Sequence, residues 1–187
     1  AVGNTGLDFT MSGSEIPLPE IAASMGEIGF SFLMPASASD VPEDYALNVT
    51  LADLSVSDMI WGMIDPAAQL PRTPATFIID AVGTASLMFD LFDPESMMKV
   101  ESDIPAELNS LNINQIVLEI AGAALTGNGA FTFDNTDLET FDGMPAPTGA
   151  LDLKLVGANA LIDKLIAMGL LPEEQAMMGR MMMGMFA

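Results

Sequence analysis

The chain has no histidine and no cysteine, and only five cations, Arg72, Lys99, Lys154, Lys164 and Arg180, stand against 26 acids. General-base and nucleophilic catalysis draw mostly on His, Cys, Lys and Arg, so the parts for such chemistry are nearly absent and the protein is not expected to be an enzyme. Without cysteine there is no disulfide framework; that argues against a small stapled secreted domain and does not separate cytosol from a bacterial envelope. The formal net charge of −21 repels phosphate backbones, and the basic clusters that hold nucleic acid are missing. No apolar run reaches the roughly 18 residues that span a bilayer as a helix. The chain opens at Ala1 with no basic region leading into an apolar one, which suggests a mature product or an internal fragment.

Half of the residues are apolar and methionine alone occurs 16 times. A length of 187 residues suits a single domain with a real core. Period-two alternation dominates: Leu7, Phe9 and Met11; Ile28, Phe30, Phe32 and Met34; Leu47, Val49 and Leu51. After Asp53 the alternation resumes at Leu54 and Val56, one step out of phase, which predicts a bulge or bend. Ser57 and Asp58 open a short helix through Trp61 that Asp65-Pro66 ends, and a proline-rich loop follows. Thr76 to Leu91 alternates throughout, with Phe77, Ile79, Leu87 and Phe89 on one side and Gly83 marking a kink or a close backbone approach. Beyond an acidic linker containing Met97, Met98 and Lys99, strands are expected around Leu111–Ile120 and Phe131–Phe133, joined near Gly127-Asn128-Gly129. One further strand holds Leu151, Leu153 and Leu155.

The period becomes helical over residues 158–187. Asn159 is a plausible cap for a first helix stopped by Gly169, and Pro172 opens a second helix crowded with Met177, Met178, Met181, Met182, Met185 and Phe186. Methionine adapts to irregular apolar shapes, so that helix fits a flexible apolar ligand or partner as well as an ordinary core. The acids Asp134, Asp137, Glu139 and Asp142 invite a calcium reading, but Leu138 occupies a required ligand position and a solvated turn-forming loop is expected instead. Asp80, Asp90, Glu119 and Asp152 alternate with apolar residues as the wet face of a sheet. Trp61 serves packing, or alternatively a lid over a groove. No metal site and no cofactor is expected.

Three stretches carry a family resemblance: Trp61-Gly62-Met63-Ile64-Asp65-Pro66 with Leu70-Pro71-Arg72-Thr73-Pro74-Ala75-Thr76, then Phe131-Thr132-Phe133-Asp134-Asn135, then Asn159-Ala160-Leu161-Ile162-Asp163-Lys164-Leu165 with Gly169-Leu170-Leu171-Pro172. From about Tyr45 to Ala187 the chain resembles an alphaproteobacterial family, domain of unknown function 2125. The resemblance implies a signal peptide and further N-terminal region before this portion and a short strand after the last helix, so the chain reads as an internal fragment. The family is similar, more loosely, to AsmA-like envelope proteins, which implies a curved sheet with an apolar groove and a role in lipid transport or outer-membrane homeostasis. It implies no catalytic residues.

Together these readings predict one mainly β (α+β) domain, a curved, strongly twisted antiparallel sheet whose apolar groove packs against the C-terminal helices. A periplasmic or envelope protein is expected, binding a lipid or other apolar small molecule. The expected lining is Phe77, Ile79, Leu87, Phe89, Phe131, Phe133, Met178, Met182 and Met185. The alternative is a structural or assembly module that docks a protein partner, a second copy or the membrane through its Met-rich helix. A hydrolase using the acids and a metal is the weakest reading.

Overall fold

The alternating segments form one seven-stranded antiparallel sheet in which every strand pairs with its neighbours in chain order. In this computed structural model, residues 2–11, 21–93 and 106–185 are described. The acidic linker with Met97, Met98 and Lys99, and Phe186, lie outside them. The strands are β1 (Val2–Met11), β2 (Ile21–Leu33), β3 (Glu43–Val56), β4 (Ala75–Leu87), β5 (Ala106–Ile120), β6 (Ala123–Asp134) and β7 (Ala146–Val156). Three helices complete the described fold: α1 (Asp58–Ile64) between β3 and β4, then α2 (Ala158–Ala167) and α3 (Glu173–Met185) after β7.

Residues opposed across antiparallel strands share a face, so the register sorts the side chains. One transverse row runs Phe30, Val49, Ile79, Ile116, Gly127, Leu153. Its neighbours run Ile28, Leu51, Phe77, Leu118, Leu125, Leu155 and Phe32, Leu47, Ala81, Ile113, Gly129, Leu151. None of these rows contains a charge. The opposite face alternates with them in rows such as Ser31, Asn48, Asp80, Gln115 and Asp44, Thr84, Ser110, Thr132. Asp80, Glu119 and Asp152 stand on that wet face, as the sequence predicts.

Long strands keep one face apolar only if each irregularity is matched by the neighbouring strand. Between β3 and β4 the register shifts between Leu51 and Leu54, where Asp53 takes φ 57°, and Leu54 returns to the apolar face opposite Ala75. The β1–β2 and β2–β3 registers pass this level without a shift. The phase change is therefore carried in line through Gly26 and Gly6, the latter at φ 66°, which brings Met25 and Leu7 back to the apolar face. The slip expected after Asp53 is thus a fault line crossing three strands.

Gly83 meets the second of its two expectations, a close approach. A Cβ there would lie 2.2 Å from the Ser110 carbonyl oxygen and 2.4 Å from the Tyr45 hydroxyl. The Tyr45 ring covers the vacant position, and its hydroxyl donates to the Ser110 carbonyl at 2.9 Å. The β5–β6 turn falls at Ala121-Gly122, both with positive φ (48° and 83°), rather than at Gly127-Asn128-Gly129. Positive φ at both central residues suits the turn to the right-handed twist of a hairpin. Strand β4 ends at Leu87, short of the expected Leu91, because the segment after β2 crosses its end. Ser39 N–H donates to the Leu87 carbonyl, Leu91 N–H to the Ala36 carbonyl, and Ala38 N–H to the Asp90 carboxylate at 2.7 Å. Asp90 is therefore a loop anchor rather than a wet-face residue. At this crossing Pro35, Ala85, Leu87 and Phe89 are buried.

The helices gather near the other end of the sheet. Helix α1 packs against β2 and is followed by Asp65, 2% exposed, whose carboxylate accepts the Leu70 amide at 2.6 Å. Arg72 donates to the Asp58 carboxylate and, at 2.8 Å, to the Val56 carbonyl, tying the proline-rich loop to the start of α1. Gly157, in the left-handed region at φ 75°, is the N-cap of α2, so Asn159 lies inside the first turn rather than at the cap. Gly169 ends α2 as expected: its N–H bonds to Ile166 while that of Leu170 reaches back to Leu165, a Schellman closure. Helix α2 packs against β6, α3 packs on α2, and Arg180 pairs with Asp163 between them. Burial alone would raise the Asp65 carboxyl. The amides of Gln69, Leu70 and Ala67, with Lys164 of α2 nearby, outweigh it and hold the group below the usual carboxylate range.

Two predictions follow from these packings. Phe89→Ala should cost about 3–5 kcal/mol in urea melts and Gly83→Ala about 1–3 kcal/mol by overpacking, whereas Tyr45→Phe, which removes only the hydroxyl, should cost about 1 kcal/mol. A Gly83→Ala variant as stable as wild type would mean that the Tyr45 ring does not lie over that position. Because the folded Asp65 is the more acidic form, its stabilisation is present above the unfolded carboxyl pKa and is lost as pH falls through the lower folded value. The gap in urea midpoint between wild type and Asp65→Asn should therefore be full at neutral pH and close below about pH 4. A gap independent of pH would remove the charge from the account.

Candidate functional site

The candidate site is the apolar face itself, because the helices reach only one part of it. Strand positions bury only as much as an opposing layer covers, and here much is uncovered: Phe30 is 51% exposed, Phe32 54% and Leu153 53%. Phe77 and Ile79 lie half-buried in the middle rows, and Phe131 sits beside Leu111 with Phe133 opposite Pro147 near the far end of β6. These four expected lining residues share the face. Leu87 and Phe89 do not offer a contact surface, since both are buried at the crossing of the segment after β2.

At the helix end the face deepens into a cavity of about 560 Å³ lined by Leu125, Leu153, Leu155, Ala158 and Met183, with Lys154 and Asn159 also on its wall. That volume falls within the roughly 300–1,000 Å³ of small-molecule sites. Gly127 and Gly129 lie under the β7 leucines: a Cβ on Gly127 would come within 2.5 Å of Leu153, and one on Gly129 within 3.0 Å of Leu151. The glycines that suggest a turn in the sequence are thus the hollow into which these leucines fold.

Helix α3 turns Ala176 and Gly179 inward. Ala176 is 2% exposed and Met183, a methionine the sequence reading passed over, reaches the cavity. Met178 and Met182 point away from it, 61% and 58% exposed beside Met177 and Met181, while the side chain of Met185 lies outside the described residues. The spacing of Ala176, Gly179 and Met183 on one helical face is the signal that identifies the inward side, since small residues mark where a helix approaches its neighbour.

In the apolar-face rows through Tyr45, Leu47, Val49 and Leu51 of β3, the one titratable group among the described residues is the Tyr45 phenol, which burial raises and keeps neutral. What the face offers a ligand is apolar contact. The acid loop between β6 and β7 uses its carboxylates on itself. Asp134 accepts the hydroxyl and amide of Thr136, and Asp137 accepts the hydroxyl of Thr140 and the amides of Thr140 and Glu139. These bonds hold both carboxyls below their ordinary range. Trp61 is half-buried on α1.

No curated protein and no solved structure matches the chain. A family model described as an uncharacterized protein conserved in bacteria matches residues 4–187, and with that coverage the chain belongs to the domain of unknown function 2125 family.

Proposed function

We propose that the protein binds a lipid acyl chain, or an apolar ligand of similar shape, along the uncharged face of its sheet, with the cavity under Met183 as the deepest part of the site. The observation that carries this reading is the set of uncharged rows from β2 to β7, left largely open although they expose Phe30, Phe32 and Leu153. A contiguous apolar surface of that extent marks a binding site more often than a free surface. With neighbouring strands about 4.8 Å apart, a row from β2 to β7 spans roughly 24 Å, ample for one extended acyl chain. We propose the cell envelope as the place and lipid handling as the task, on the looser resemblance of the sequence to AsmA-like envelope proteins. A second reading, a module docking a partner or membrane through α3, is favoured by the outward row Met177, Met178, Met181 and Met182, each more than half exposed.

Titration with parinaric acid separates the two. Saturable fluorescence enhancement is expected for wild type, a weakening of roughly tenfold or more for Phe30→Glu and for Met183→Gln, and no change for Met178→Gln with Met182→Gln. Absence of saturable binding, or Phe30→Glu binding as wild type does, would overturn the sheet-face reading.

A further inference from the structure

We propose that two copies of this chain associate edge to edge, β7 pairing antiparallel with its counterpart about a two-fold axis through Leu153. The inference rests on the edge of the sheet and on its order of residues, although Leu153 and Leu155 also line the cavity of the proposed site. Strand β7 is last in the sheet, and among the described residues no strand pairs with its outer backbone groups. Every residue from Pro147 to Val156 is exposed, and α2 makes its sheet contacts with β6. An uncovered edge of this length is a template for another strand.

The edge selects its partner through its own order of residues. Gly149-Ala150-Leu151-Asp152-Leu153-Lys154-Leu155-Val156-Gly157 is self-complementary about its centre. In an antiparallel pair centred on Leu153, Leu151 faces Leu155 of the second copy, and Leu153 faces its own equivalent. Asp152 faces Lys154 of the second copy, and the reverse pair repeats it across the axis. Gly149 meets Gly157 and Ala150 meets Val156. Opposed residues share a face, so the leucines extend the apolar face of one sheet into the other while the two ion pairs form on the wet face. Pro147, which lacks an amide hydrogen, would fall opposite position 159, beyond the end of β7, so it interrupts no ladder bond.

The same two charges, taken singly, are the usual means of blocking an edge. Their order makes the difference. In a chain with five cations, three of the four within the described residues already serve an acid of their own chain: Arg72 with Asp58, Arg180 with Asp163, and Lys164 near Asp65. Among the described residues neither Lys154 nor Asp152 has an ion-pair partner within the chain. Antiparallel pairing supplies both, and each opposite-charge pair favours the register: a one-residue slip would set charges opposite leucines and join the apolar face to the wet one, and a two-residue slip would set Asp152 against Asp152 or Lys154 against Lys154. Strand β1, the other edge, has no such symmetry.

Sedimentation equilibrium of the whole chain tests this. A concentration-dependent dimer is expected for wild type, since edge pairing buries less than a standard interface. Asp152→Lys alone and Lys154→Asp alone should each weaken it roughly tenfold or more by opposing like charges, and the combined swap should restore it, because the order is again self-complementary. Both sites are exposed on the wet face, and circular dichroism checks that the sheet is kept. As a second measurement, Leu153→Cys places one thiol in a chain that has none. Strand-opposed Cα atoms about 4.5–5.5 Å apart lie within disulfide range, so mild oxidation should give a covalent dimer. A wild-type monomer at every concentration would overturn the proposal. So would a dimer indifferent to the single reversals, or a double swap that fails to recover.

Discussion

The structure depends on keeping one face of a wide, open sheet free of charge. A single antiparallel sheet has no second layer built into it, so its stability rests on whichever residues bury against the few elements that cross it. Among the described residues few large side chains are buried, and none of them completely. Leu87 and Phe89 lie where the segment after β2 crosses the end of β4, and elsewhere the apolar rows are only half-buried or open. Much of the hydrophobic potential of this sequence is therefore not spent within the described fold. The open rows are the surface on which the proposed apolar ligand would lie.

Keeping that face uniform across strands of 10 to 15 residues is a problem of phase. Any residue inserted in one strand would turn the rest of it inside out unless its neighbours turn with it. The chain meets the problem twice. Gly6, Gly26 and Asp53 change phase together across three strands, so all three recover the same face. On the other flank β5 takes two extra residues, Asn114 and Asn109, against an uninterrupted β4. Both are polar and short, suited to positions that leave the ladder, and Asn114 uses its amide to bond Asp80 on the wet face.

Much of this was legible in the sequence because alternation is a local signal. The strands, the phase slip after Asp53, the close approach at Gly83, the helix ending at Asp65 and the stop at Gly169 all follow from neighbours in the chain. The misplaced features depend on partners distant in sequence. Gly127-Asn128-Gly129 has the composition of a turn, yet it lies within β6 because Leu151 and Leu153 of β7 fill the space above its glycines. Asp90 alternates like a surface acid but is taken up by the Ala38 amide, 52 positions away. On α3 the abundance of methionine drew attention to the outward side, while the inward side is defined by Ala176 and Met183, whose role appears only once β6 and β7 are in place.

Charge then explains how a chain with so much open apolar surface avoids indiscriminate association. A net charge of −21 gives every copy the same sign, and at ordinary ionic strength this repulsion acts over roughly 8–10 Å around the molecule. Random contacts between apolar patches must work against it. A contact that brings cations and acids into register locally does so at far lower cost, and with so few cations there are few places where such a register exists. Three of the four described cations are used to join helices and loops. The fourth, Lys154, stands on an open strand two residues from Asp152, on the wet face of the edge that also presents Leu151, Leu153 and Leu155. The acid surplus and the scarcity of cations thus act in the same direction, leaving this edge as the place where two like-charged copies meet with local attraction and where the apolar face continues across the join.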